Sequence, residues 1–75
     1  MDEGYILSNK YRKVVFEGIA SGEKNIHRIA KKHRIIQNVA LRIAEDFIKG
    51  GILEKKGDLY FLTKEGEKLK SKIYD

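Results

Sequence analysis

Residues 26–49, IHRIAKKHRIIQNVALRIAEDFIK, run for 24 positions without a glycine or a proline. No other stretch limits the fold so strongly, because this one reads either as a single long helix or as two short ones. As one helix it keeps Ile29, His33, Ile36, Ala40, Ile43 and Phe47 near one face. It would also extend about 36 Å at 1.5 Å per residue, too long for the rest of a 75-residue chain to cover. Ile35 would fall well off its apolar face. Two helices meeting at a tight turn near Arg34 fit better, with Ile35 plugging the gap and Ile36 starting the core face of the second helix. That reading strains the backbone, since a left-handed Arg34 clashes where Gly would not, and Ile36 is a poor N-cap.

The flanking pattern fills in a single domain over residues 1–75. After an N-terminal segment (1–8), a helix is expected over 9–21, capped by Ser8 or Asn9, with Tyr11, Val15 and Ile19 as its apolar stripe and Gly22 as its stop. Val14 lies alongside this stripe, and Phe16 lies off it, towards Ile6 or Leu7. Asn25 caps a second helix over 25–33, with Ile26, Ile29, Ala30 and a partly buried His33 facing inward. The third helix, 36–50, turns Ile36, Ala40, Ile43 and Phe47 inward, with Val39 and Ala44 on the flanks. Gln37, Asn38, Leu41, Arg42, Glu45, Ile48 and Lys49 face away, and Gly50-Gly51 ends the helix.

The period then changes. Residues 52–63 read as a β-hairpin with Gly57-Asp58 at the turn, pairing Lys56 with Leu59, Lys55 with Tyr60, Glu54 with Phe61 and Leu53 with Leu62. Leu53 and Leu62 share one face, and Ile52, Leu59 and Phe61 the other. Both faces therefore need cover, from Tyr5-Ile6-Leu7 and from a second subunit. Thr63 caps a last helix over 64–74, whose inner edge is Leu69 and Ile73 with Tyr74 beside them. The fold class is α+β, mostly α.

Composition narrows the function classes. A chain this short buries only about 60% of the surface its unfolded form exposes. With no Cys, neither a disulfide nor a thiolate metal site is available. His27 and His33 stand six apart, off a common helix face, so no zinc site is expected. No run approaches a membrane span, and MDEGYILSN lacks the charged and apolar regions of a signal peptide; a soluble, cytoplasmic protein is expected. Abundant Lys, Glu and Ile with few Asn and Gln fit a thermophile proteome.

The net charge of +5 is localised. Residues 1–22 and 43–75 each sum to zero, while 23–42 carry Lys24, Arg28, Lys31, Lys32, Arg34 and Arg42 against Glu23 alone. Charge gathered in this way suits a polyanion.

The order α-α-α-β-β-α resembles the winged helix-turn-helix family of DNA-binding domains found in small archaeal and bacterial transcription regulators, over residues 9–74. The resemblance rests on Ile29-Ala30 in the second helix, Arg42 in the third, and Phe47 followed by Gly51-Ile52-Leu53-Glu54 at the exit into the hairpin. Leu62-Thr63-Lys64-Glu65-Gly66 at the start of the last helix completes it. The chain departs from the family at Arg34, often Gly, and at Ile36, often Pro, Ser or Thr.

The resemblance implies that the third helix enters the major groove of double-stranded DNA. Gln37 and Asn38 then suit adenine, Arg42 suits guanine, and Leu41 suits a thymine methyl group. Lys24, Arg28, Lys31, Lys32 and Arg34 are candidates for phosphates, and Lys55 and Lys56 for contacts from the hairpin, the wing. A homodimer through the N-terminal segment, the outer hairpin face or the last helix would double the site. Ile48, Leu59, Phe61 and Tyr74 supply apolar surface for it. A protein-interaction module and an RNA-binding module are the alternatives. Catalysis is not expected: there is no Gly-rich phosphate loop or Ser/His/Asp set, and Glu45-Asp46 diverge as helix neighbours. No cofactor or small-molecule effector site is indicated.

Overall fold

The computed structural model describes residues 1–74. Its elements run α1 (Glu3–Leu7), α2 (Lys10–Ala20), α3 (Ile26–His33), α4 (Gln37–Lys49), β1 (Leu53–Lys56), β2 (Leu59–Leu62) and α5 (Lys64–Tyr74). Side-chain caps open the first three helices. Asp2 Oδ1 accepts from Tyr5 N at 3.0 Å, Asn9 Oδ1 from Tyr11 N and Arg12 N, and Asn25 Oδ1 from His27 N and Arg28 N. The first of these makes a helix of what reads as a leading segment. α1 buries Ile6 and packs chiefly on α2 and α5.

At the centre Phe16 of α2 meets Phe47 of α4 edge to face, with ring centroids 6.1 Å apart. α2 touches α1, α3, α4 and β2, so its buried sector is wide and turned from the expected stripe. Val15, Phe16 and Ile19 are buried, while Tyr11 is left at the open end. α4 buries Ala40, Ile43, Ala44 and Phe47. Ile48 is half-buried against the core and does not point away, and Val39 is exposed.

Two positions near the α3–α4 junction reverse the expectation. His33 is exposed at the end of α3. Ile36 is 72% exposed, because the chain leaves Arg34 in an extended stretch (Ile36 φ −58°, ψ 129°) that turns its side chain off the core. Ile35 is buried and fills the gap between the helices.

The hairpin has the expected register, Leu53 opposite Leu62 through Lys56 opposite Leu59, with Gly57 at φ +62° in its turn. Leu53 and Tyr60 are buried, and Leu62 packs half-buried on the core. Tyr60 N also donates to Lys24 O at 2.9 Å, tying β2 to the segment before α3. α4 lies on β1, and α2 and α5 lie on β2. The Cα radius of gyration, 10.9 Å, is near the roughly 11 Å of a compact chain this long, so the hairpin lies against the helices and does not project from them.

Thr63 fastens α5: its hydroxyl donates to Gly51 O at 2.6 Å and accepts from Gly66 N at 3.1 Å. At the far end of α5, Tyr74 donates to Glu17 at 3.4 Å. Partial burial, the Glu17 charge and this hydrogen bond raise the Tyr74 pKa above its ordinary 10.0. Of the surface expected to pair two subunits, Ile6 is buried and Ile48 and Phe61 are half-covered, leaving Leu7, Leu59 and Tyr74 exposed. Among the described residues no helix is long and apolar enough to cross a membrane.

Candidate nucleic-acid interface

Arg34 decides the geometry. It has φ 56° and ψ 43°, the only non-glycine at positive φ among the described residues. Ile35 N reaches back to Ala30 O at 2.9 Å, closing α3 in a Schellman-type turn. α2 and α4 close in the same way, through Glu23 N to Gly18 O and Ile52 N to Phe47 O, with Gly22 and Gly51 at positive φ. Two of the three turns use glycine and the third uses a cation. Arg34→Gly is therefore expected to raise stability by about 1 kcal/mol, or roughly 4–8 °C in Tm. A thermal melt checks it, and a lower Tm would mean that the Arg34 side chain contributes contacts of its own.

α3 divides its cations between two faces. Arg28 and Lys32 line a groove of about 470 Å³ against α2, with Val14, Glu17, Ser21, Glu23 and His33. Lys31 lies outside that groove, a neighbour of both His27 and Arg28 on the helix surface, and His27 touches α4. Its Nδ1 lies 2.6 Å from Gln37 Oε1, and Gln37 Nε2 donates to His27 O at 3.4 Å. Both ends of the Gln37 amide thus clasp α3 to α4, and Gln37 must release His27 to reach a base.

Asn38 and Arg42 are exposed on α4 and line an open groove with Tyr11, Arg12, Val39 and Asp46. Leu41 is half-buried against the core and faces the hairpin, in a groove it shares with His27, Lys55, Asp58 and Tyr60.

Lys24 belongs with the hairpin rather than with α3. Its Nζ lies 4.8 Å from the centre of the Phe61 ring, and Lys56 Nζ lies 5.6 Å from the same ring. Lys55 lies 5.6 Å from the centre of Tyr60. Lys56 also pairs with Glu54 at 3.4 Å. The other ion pair among the described residues is Lys68–Glu65, so Lys31, Arg34 and Arg42 carry charge with no carboxylate in bridging range. Two isolated, exposed pairs do not form a network.

The sequence reading missed the His27 clasp and the exposure of Ile36. His27 and Gln37 are ten positions apart and meet only because the chain turns at Arg34. Ile35 and Ile36 are adjacent at the turn and part company there, Ile35 into the core and Ile36 into solvent. Comparison with known proteins finds no matching family model, curated protein or solved structure.

Proposed function

We propose that this chain is a winged helix-turn-helix domain that binds double-stranded DNA sequence-specifically, as a transcriptional regulator. The observation that carries this reading is the left-handed turn at Arg34. It ends α3, starts α4 on a new axis and sets a cation in a strained backbone position beside the N-terminal half of α4. Strain of this kind clusters at functional sites. In this reading α4 lies in the major groove, where Arg42 bonds guanine O6 and N7 and Asn38 bonds adenine. Lys31 and Arg34 hold the phosphates beside α4. Lys24, Lys55 and Lys56 act from the hairpin, the wing, on the other side. Arg28 and Lys32, turned towards α2, contribute little.

Binding is measured by gel shift on duplex DNA, single strands and RNA, with a preferred duplex selected from a random pool. Tight binding to duplex alone is the expected result, and a preference for RNA or no binding to any of them would sink the reading. On the selected duplex, Arg42→Ala is expected to relax sequence preference at a base pair, a loss of about 1–3 kcal/mol in discrimination. Lys31→Ala is expected to weaken all duplexes about equally. Equal behaviour of the two variants would remove Arg42 from base reading.

A further inference from the structure

We infer that Ile36 is a specificity residue that recognises the 5-methyl group of a thymine in the major groove; this rests on the DNA-binding reading above. Ile36 is the most exposed large apolar side chain of the described residues, at 72%. It stands at the N-terminal tip of α4, where Ser, Thr, Asp or Asn would cap the helix and Ile makes no side-chain cap. The chain thus forgoes a cap to present an apolar group to solvent.

The surroundings of Ile36 indicate the partner. Arg34 lies on one side of it, Gln37 and Asn38 follow it, and Arg42 lies further along the same exposed half of α4. Tyr11 and Val39 border it in a shallow apolar depression of about 180 Å³ that also includes Arg34. An apolar tip among unpaired cations matches a polyanion that carries isolated apolar groups. In the major groove of DNA that group is the thymine methyl. Leu41, the residue the sequence suggests for this contact, is half-buried and faces the hairpin, so the more exposed Ile36 takes the role.

The test replaces each thymine of the selected duplex in turn by deoxyuridine, which removes only the methyl group, and measures Kd for the parent chain, Ile36→Ala and Ile36→Val. At one position the parent is expected to lose about fourfold in affinity, the equivalent of one buried methyl group. Ile36→Ala is expected to bind the thymine duplex correspondingly more weakly and to lose the thymine–uracil difference at that position alone, and Ile36→Val to keep most of it. Ile36 is exposed, so these variants leave the core intact. Indifference of the parent to every deoxyuridine overturns the inference while leaving DNA binding standing, as does a thymine–uracil difference that survives in Ile36→Ala. Failure to bind any duplex overturns both.

Discussion

Gly66→Ala is expected to destabilise the fold by about 3 kcal/mol, enough to lower Tm by roughly 12 °C or more. In an ordinary helix this change stabilises, since Ala is better than Gly by up to about 1 kcal/mol. Here the added Cβ falls on the carbonyl oxygen of Ile52, closer than any real contact, and within 3.2 Å of Leu62 Cδ2. Neither the carbonyl nor the helix can move freely. Ile52 O accepts from Thr63 N at 3.1 Å, and the Thr63 hydroxyl bridges Gly51 O and Gly66 N. The first turn of α5 is thus seated on the corner where α4 passes into β1. A methyl group at Gly66 pries α5 off that corner and disturbs the hairpin with it. Gly50→Ala is the control, because its Cβ meets chiefly the flexible end of Met1 and should shift Tm far less. Chemical denaturation of both variants checks this, and equal stabilities would show that α5 is not held as described.

Gly66 also shows what the sequence could and could not disclose. It was visible as part of Leu62-Thr63-Lys64-Glu65-Gly66, but the reason for it, a backbone oxygen fourteen residues away in the chain, is tertiary. The hairpin register was legible to the residue, because a Gly-first two-residue turn fixes every pairing behind it. The turn at Arg34 was legible from length and from Ile35: a 24-residue helix had nothing to lie on and would have left Ile35 off its apolar face. Helix faces were less secure. The Tyr11–Val15–Ile19 stripe has good helical spacing, yet α2 is covered on several sides, and Phe16 takes the core place while Tyr11 stays outside. Periodicity gives the face of a helix with one neighbour and blurs for a helix with four. Candidate site residues were legible as types but not as partners. The charge window located the cations, while the division of Arg28 and Lys32 from Lys31, and of Lys24 from both, depends on side-chain direction across helix and hairpin.

That division sets the salt dependence expected of the proposed DNA binding. The log–log slope of affinity against salt is about −0.9 per phosphate neutralised on duplex DNA. With Lys24, Lys31, Arg34, Lys55 and Lys56 engaged, the slope is expected to be about −4.5, so affinity falls roughly 500-fold between 50 and 200 mM salt. If Arg28 and Lys32 joined them, the slope would steepen to about −6. The double change Arg28→Gln with Lys32→Gln is therefore expected to leave the slope nearly unaltered. Lys31→Gln with Arg34→Gln should flatten it by about 2. Lys56 is the residue to watch within the first group, since its pairing with Glu54 already offsets part of its charge. Glu54→Gln frees it and should strengthen binding. A flat salt response would remove the electrostatic basis of the proposed function. A steep one that collapses in the Arg28/Lys32 double variant would place the phosphates against the α2–α3 groove and move the reading face away from α4.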